Sequence, residues 1–490
     1  MLGLSALLVA LLISLFIVQF LKLQWACRRL PPGPTPLPII GNMWVMDFKR
    51  QHETLIKLAQ IYGNIFTLWM GPIPIIILNG FQTVKDGLTV HAEDVSGRPS
   101  TPFWQRVASG KGIIFTSGHT WKQQRRFGLM TLRNLGLGKK GLEHRVQEEA
   151  CHLVEFFMQE RGQPLDPSFP IVHSVSNVIA AVVFGHRFTI ENKNFHQVIE
   201  SYDYMVKFGS SVSEMLYDIF PWLMNHLPGP HQKVFYCHEF LRSFARNEIR
   251  NHRENGPPDE PQDFIDFYLA QIDKSKDDPT STFDEDNMVQ AIFDLFLAGT
   301  ETTTTTLRWT VLDMVAHPDV QEKVQKELDA VLGPSQLICY EDRKKLPYTN
   351  AVIHEIQRYN SVVAVGVPRE CIRGTVLQGF PIEKGTIIIP NLTSALLDPE
   401  QWETPRQFNP NHFLDKDGNF VNKDAFLAFS AGHRVCLGEL LARTELFLFF
   451  SNLMRAFTFK LPEGVKEINT EAITWITLQP HPYKICAVPR

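Results

Sequence analysis

The chain contains no Cys-x-x-Cys pair in its 490 residues, and its seven cysteines (27, 151, 237, 339, 371, 436 and 486) are scattered and odd in number. That excludes a dense disulfide framework and a zinc-ribbon type of site, and it fits a reducing compartment. Strong charge of either sign is also missing. The formal net charge is −4, so the electrostatic footprint of a nucleic-acid binder is absent. With 44% hydrophobic and 20% charged residues, the composition is that of a globular protein with a large core, not a disordered or fibrous one. A phosphate-binding loop is missing as well. Gly136-Leu137-Gly138-Lys139-Lys140-Gly141 spells G-x-G-x-x-G, but a dinucleotide fold needs that motif to leave a strand and open a helix. Here it follows a basic, helical stretch, so it carries no nucleotide site.

Charge is wholly absent from Met1 to Leu21, and Lys22 is the first ionisable side chain. About twenty such residues at helical rise cross the ~30 Å hydrocarbon layer. A cleaved signal peptide would want a basic start and a small-residue cleavage site, and neither is evident. Residues 1–22 are therefore expected to be a transmembrane anchor. Lys22, Arg28 and Arg29 follow the span and place the rest of the chain in the cytosol. Residues 23–41, with Pro31-Pro32-Gly33-Pro34-Thr35-Pro36-Leu37-Pro38, read as a basic, stiff, proline-rich hinge. Residues 42–490 are left for the catalytic domain.

What is present converges on Phe429-Ser430-Ala431-Gly432-His433-Arg434-Val435-Cys436-Leu437-Gly438. An apolar helical run follows at once, which puts Cys436 just before a helix N-terminus, where unpaired N–H groups favour a thiolate. Gly432 and Gly438 leave out side chains where the backbone must bend or approach something flat and bulky. Arg434 adds a permanent cation suited to a carboxylate. A lone cysteine is usually an inert buried thiol. The spacing F-x-x-G-x-R-x-C-x-G, however, resembles the haem-binding signature of the cytochromes P-450, in which the cysteine thiolate is the axial iron ligand.

The rest of the chain follows that family's order. Alternating β-branched residues from Asn64 to Asn79 around Gly71-Pro72 predict a hairpin, and residues 99–120 read as an apolar loop. A helix is expected to open at Trp121. Residues 195–250 read as helices broken by the apolar segment 219–224, either core or a lid touching a membrane. A long helix is expected from about Asp284 to Ala316, ended by His317-Pro318. Its centre, Ala298-Gly299-Thr300-Glu301-Thr302-Thr303, has propensities of a strand or break, a local conflict that suggests a functional groove. Residues 396–433 form a long loop, and segments at Thr386–Ile389 and Ile473–Leu478 complete a small β region. The predicted fold is thus mainly α with a small β region, a cytochrome P-450 fold behind one transmembrane helix.

The resemblance implies roles for named residues. Arg98, Trp121, Arg125, Arg369 and Arg434 would hold the haem, with Cys436 on the metal. Thr302 and Glu301 would supply protons, Glu301 reaching toward solvent or a water chain, while Gly299 left room for oxygen. Ile113, Phe115, Ala298, Val363 and Val367 would line the substrate pocket. Glu355, Arg358 and His412 would brace the loop before the cysteine, with His412 where many members carry Arg. The anchor, the hinge, Trp121–Arg126 and Ala298–Thr303 resemble the animal microsomal members of the second family. LRNLGLGKK (132–140), TLRW (306–309) and LARTEL (441–446) are similar to its J subfamily.

The implied activity is insertion of one atom of O2 into a lipophilic substrate at the endoplasmic reticulum membrane, by fatty-acid epoxidation or hydroxylation or by oxidation of another lipophile or xenobiotic. The implied cofactor is haem (iron protoporphyrin IX). Electrons would come from NADPH through NADPH-cytochrome P-450 reductase, with cytochrome b5 as a second candidate donor. The basic residues Lys122, Arg126, Arg133, Lys139 and Lys140 are candidates for docking that donor. Two other readings share these motifs: a fatty-acid hydroperoxide isomerase or dehydratase that needs no external electrons, and a haem protein that binds ligands without turnover.

Overall fold

The computed structural model describes residues 2–136, 140–333 and 336–490. Leu137, Gly138 and Lys139, and with them the centre of the G-x-G-x-x-G stretch, lie outside the described residues. The fold is mainly helical with small sheets. Its first helix, Leu2–Cys27, is long and apolar enough to cross a membrane, and it runs five residues beyond the expected boundary at 22.

The chain divides into two compact units. The first comprises 1–99, 364–401 and 430–435. It is organised on a four-stranded sheet in the order Ile65–Met70, Ile73–Leu78, Ile387–Pro390, Arg369–Glu370. The first two strands are the expected hairpin, in register from Ile65 opposite Leu78 to Met70 opposite Ile73. The third strand pairs with the second in parallel, Ile75 opposite Ile387. Leu55, Leu58, Phe66, Leu68, Ile75 and Ile77 form this unit's core.

The proline-rich segment is not a free spacer. Thr67 donates from its N–H to Pro32 O at 2.8 Å and from its hydroxyl to Pro31 O at 2.8 Å. Gly33 lies so close to the strand that a Cβ would sit 2.0 Å from Thr67 O. Prolines cannot donate to a ladder but can accept from one, so the hinge docks through its carbonyls from residue 31 onward.

The second unit comprises 100–363, 402–429 and 436–490. The expected loop at 99–120 contains a helix, Pro102–Ala108, started by Pro at its first position and Thr101 at its N-cap. The next helix begins at Gly118, ahead of Trp121. Helices Lys193–Phe208, Val212–Ile219, Pro221–Met224 and Pro230–Asn255 follow. Within them Trp222 is 69% exposed, which excludes the core reading of segment 219–224. The segment read as one strand, Ile473–Leu478, is a hairpin: Ala472–Thr474 pairs antiparallel with Leu478–Pro480 across a turn.

The Glu285–Ala316 helix is unbroken, and 21 of its 32 residues are buried. Asp284 caps it, accepting from Asn287 N at 2.7 Å. Some of the threonine hydroxyls bond along the helix, while Thr300 Oγ1 and Thr304 Oγ1 are buried without a partner among the described residues. Thr302, Thr306 and Thr310 donate to the carbonyls of Ala298, Thr302 and Thr306, each at 2.8 Å. Burial in the core outweighs the weak propensity. Gly299 lets the helix Ser168–Val183 come close, since a Cβ there would lie 2.5 Å from Ile179 Cδ1. Helix packing occupies the space that the sequence reading assigned to oxygen.

Buried ionisable groups set the expected pH response. His252 donates from Nδ1 to Glu248 O at 2.8 Å and from Nε2 to Asp263 at 2.8 Å. With both nitrogens donating it is an imidazolium, and the Asp263 hydrogen bond raises its pKa to about 9. Asp266 also lies near enough for a shared cation, but this proton already occupies the bridging position. Burial lifts Asp313 and Glu445 to about 8. All three pKa values are raised in the folded state, so all three contributions are present at low pH and lost as pH rises. For the carboxyls the loss runs from about pH 4 to 8, and for His252 from 6.5 to about 9. The melting temperature is therefore expected to fall between pH 6 and 9.5. His252→Gln is expected to flatten the alkaline part of that slope, as scanning calorimetry across pH would read.

Candidate active site

In the first unit three buried guanidiniums are fixed by neutral acceptors. Arg98 Nη1 donates to Val367 O at 3.0 Å and Pro368 O at 2.7 Å. Arg369 Nη2 donates to Ser430 Oγ at 3.2 Å, and Arg434 Nε to Ser96 O at 2.8 Å. Strand pairing sets their spacing, because Gly97 and Glu370 exchange both backbone bonds. Gly432, at φ +71°, serves a different neighbour from the one expected: a Cβ would fall 1.8 Å from Leu88 O. The glycine is required by the chain's own backbone. Val367, a predicted pocket residue, is exposed in this unit.

The second unit carries Cys436. Its N–H donates to Phe429 O at 3.0 Å, and three residues later the helix Glu439–Ala456 begins. Cys436 is exposed; desolvation by the surrounding protein raises the thiol pKa, the Gly438 N–H and Arg125 charge oppose it, and Glu439 adds to the rise. Trp121 is buried and Arg125 half-buried on the Gly118–Asn134 helix. A Cβ on Gly438 would meet nothing within 4 Å.

Ala298 and Thr302, one turn apart on the deeply buried Glu285–Ala316 helix, remain accessible. Ile113 is buried, and Phe115 stacks on Trp104 with centroids 3.7 Å apart. Val363 is half-buried in the same unit. Glu301 is part-buried and held by its neighbours through one oxygen. Its Oε1 accepts from Thr477 Oγ1 at 2.6 Å, from Thr305 Oγ1 at 3.4 Å, and from Gln479 Nε2. Burial raises its pKa, with those hydrogen bonds opposing.

Glu355 and Arg358 form a fully buried bidentate pair, Nε to Oε2 and Nη2 to Oε1, both at 2.7 Å. Arg358 also donates to Pro405 O at 2.7 Å and Gln407 O at 3.0 Å, and Asn409 N donates to Glu355 Oε1 at 2.7 Å. The pair thereby fixes the 405–409 loop. His412 Nδ1 faces both Glu355 oxygens at 3.2 Å, and its Nε2 accepts the Thr404 N–H at 3.2 Å. Thr404 Oγ1 lies 3.0 Å from the same Nε2.

Sequence reasoning missed Asp294, Thr477 and Gln479. Asp294 Oδ2 accepts from Ile113 N at 2.6 Å and Ile114 N at 2.9 Å, pinning the loop before Phe115, and burial lifts its pKa to about 6. An aspartate inside the apolar run Ala291–Leu297 was the available signal. Thr477 and Gln479 sit in short strand-like sequence with no comparable mark.

In the second unit a sulfur on an N–H-donating loop and an uncovered face of a buried helix have the chemistry an iron porphyrin takes; the first unit, by itself, offers buried cations of the kind that pair with carboxylates. Residues 31–487 match the cytochrome P450 family, and the chain belongs to it. It is a haem-dependent monooxygenase that takes O2 and receives electrons from a partner. Cytochrome P450 2J2 of Homo sapiens is 44% identical over 463 residues, covering 94% of this chain and 92% of the relative. Cytochrome P450 2J3 of Rattus norvegicus is 44% identical over 489 residues, covering 100% and 97%. Cytochrome P450 2C8 of Homo sapiens is 42% identical over 477 residues, covering 97% of each chain. Similarity to J-type members of the second family thus extends over almost the whole length of both chains.

Proposed function

We propose that this chain oxidises lipophilic substrates, fatty acids foremost, by epoxidation or hydroxylation at the cytosolic face of the endoplasmic reticulum, with electrons from NADPH-cytochrome P-450 reductase or cytochrome b5. The observation that carries the reading is the accessible Ala298–Thr302 face, a single hydroxyl among apolar neighbours on a buried helix. Cys436 would hold the haem iron, and Arg98, Trp121, Arg125, Arg369 and Arg434 its carboxylate side. Haem supplies the oxidising chemistry when bound. The side chains bind, orient and deliver protons. Ile113, Phe115, Ala298, Val363 and Val367 offer apolar surface to a hydrocarbon chain. The Thr302 hydroxyl donates to Ala298 O, which leaves its oxygen lone pairs to accept a proton as it passes one on. Glu301, its pKa raised by burial, holds a proton in reserve.

Exposed Lys122, Arg126 and Arg133 support docking of an acidic donor; Lys139 lies outside the described residues. The exposed Val212, Leu216, Trp222 and Leu227 support contact of that segment with the membrane surface. The chain's single glycosylation sequon cannot report its orientation. Asn391 is buried and donates to Asn79 Oδ1 at 2.8 Å, so a missing glycan is expected on either side of the membrane.

Thr302→Ala is expected to retain haem, CO spectrum and substrate binding while diverting most consumed NADPH to hydrogen peroxide. Supplying peroxide in place of O2 and reductase should partly restore product. Product and peroxide measured per NADPH decide it: unchanged coupling removes the proton role of Thr302. Rapid rearrangement of a lipid hydroperoxide without reductase would instead favour the isomerase reading.

A further inference from the structure

Two buried polar residues at the end of the chain share one partner. Thr477 and Gln479 flank and enter the short strand Leu478–Pro480, whose backbone pairing with Ala472–Thr474 makes no use of their side chains. Apolar residues would fill such positions without the desolvation cost. Both side chains instead donate to Glu301 Oε1. Gln479 is itself clamped. Its Nε2 reaches Thr305 Oγ1 at 2.5 Å and Thr477 Oγ1 at 2.9 Å, and its Oε1 accepts from Arg308 Nη1 at 2.5 Å. Arg308 continues to Pro480 O at 3.3 Å. With three donors converging on Oε1, the proton of the neutral acid has its place on Oε2.

The hairpin has a second contact at its tip. A Cβ on Gly209 would lie 2.6 Å from Ile476 Cδ1, and Lys207 Nζ sits 4.8 Å from the centroid of the Trp475 ring. Gly209 ends the Lys193–Phe208 helix and opens the segment that exposes Val212, Leu216 and Trp222. One turn therefore touches the segment beginning at Gly209 through Ile476 and the Glu285–Ala316 helix through Thr477, one residue later.

We propose that Thr477 and Gln479 are positioning residues that hold the Glu301 proton on Oε2 and couple that proton to the placement of the segment beginning at Gly209. The inference rests on the reading of Glu301 and Thr302 as proton donors. During delivery one proton leaves Glu301 Oε2 toward Thr302. The carboxylate that remains is stabilised by the donors already at Oε1, and a solvent proton restores the acid, so the cycle balances. Pressure of a lipophile on Ile476 shifts Thr477 and with it the acid.

The test uses the haem-loaded full chain. The protonated Glu301 carbonyl band, assigned by subtracting the infrared spectrum of Glu301→Gln, is titrated with pH in wild type, Thr477→Val, Gln479→Leu and Thr477→Ser. Asp203 and Arg308 act on the same carboxyl and are unchanged throughout. Loss of a donor that favours the carboxylate is expected to move the band's titration to higher pH in Thr477→Val and Gln479→Leu. Thr477→Ser, which keeps the hydroxyl, should titrate as wild type. Hydrogen peroxide formed per NADPH should rise severalfold in the first two variants, with the CO spectrum and the oleic acid dissociation constant within twofold of wild type. Added oleic acid should shift the band in wild type and less in Ile476→Ala. Titration and coupling unchanged in Thr477→Val and Gln479→Leu overturn the proposal, as does an oleic acid shift undiminished by Ile476→Ala. If Thr302→Ala uncouples and the hairpin variants do not, this inference fails alone. If Thr302→Ala leaves coupling intact, the proton-relay reading itself has failed.

Discussion

Cys436→His is expected to abolish the red-shifted Soret band of the reduced CO complex and to reduce monooxygenase activity to background, with haem retained in part. The sulfur is the only soft anionic donor in its loop, and its position is set by backbone contacts that do not depend on its side chain: Cys436 N to Phe429 O at 3.0 Å and the helix starting at Glu439. The substitution should leave the loop in place while replacing a charged thiolate by a neutral imidazole. Thiolate donation favours O–O cleavage, and imidazole does not supply it. A cysteine must lose its proton to ligate a metal, so metal loading should release a proton. Difference spectroscopy of the variant with dithionite and CO is the measurement, and an unchanged band would mean that another residue ligates the iron.

Arg358→Ala is expected to cost about 3–5 kcal/mol of folding stability, because it leaves the Glu355 carboxylate buried without its cation. Set against the roughly 5–15 kcal/mol that stabilises a typical domain, that loss should lower the yield of haem-loaded protein sharply. It also releases Pro405 O and Gln407 O from their donors, so the 405–409 loop loosens together with the core. Removing both charges as Glu355→Leu with Arg358→Leu should cost less than the two single losses added together, because no lone charge then remains buried. Chemical denaturation of the four proteins completes the cycle. Additive losses would show that the two residues act independently.

Elements with strong periodic or punctuated patterns are legible in the chain itself. The hairpin at 65–78 declares itself by β-branched alternation around Gly71-Pro72, and the Glu285–Ala316 helix by its capping aspartate and terminal His317-Pro318. The helix Pro102–Ala108 is not legible: seven residues give too few turns for a periodic signal, and only the Thr101-Pro102 start marks it. The reading of Ile473–Leu478 as one strand fails because a three-residue turn between three-residue strands looks like continuous extended sequence.

The local order of chemistry was determined by the sequence alone: a cysteine ahead of a helix, an acid beside a threonine, a glutamate three residues before an arginine, one apolar span at the start. Each depends on neighbours along the chain, where spacing fixes geometry. Direction in space was decided only by the tertiary structure. Adjacent helix positions point about 100° apart, so the meeting of Glu301 with Thr477 depended on a hairpin 176 residues away. Gly299 and Gly432 were recognisable as places needing room, yet the claimant, Ile179 in one case and Leu88 in the other, was a distant segment. His412 could be placed beside Glu355 by analogy, but its second neighbour, Thr404, was supplied by the folded loop. Side-chain charge and orientation in a core are set by whichever partner packing brings near, and packing is a property of the folded chain.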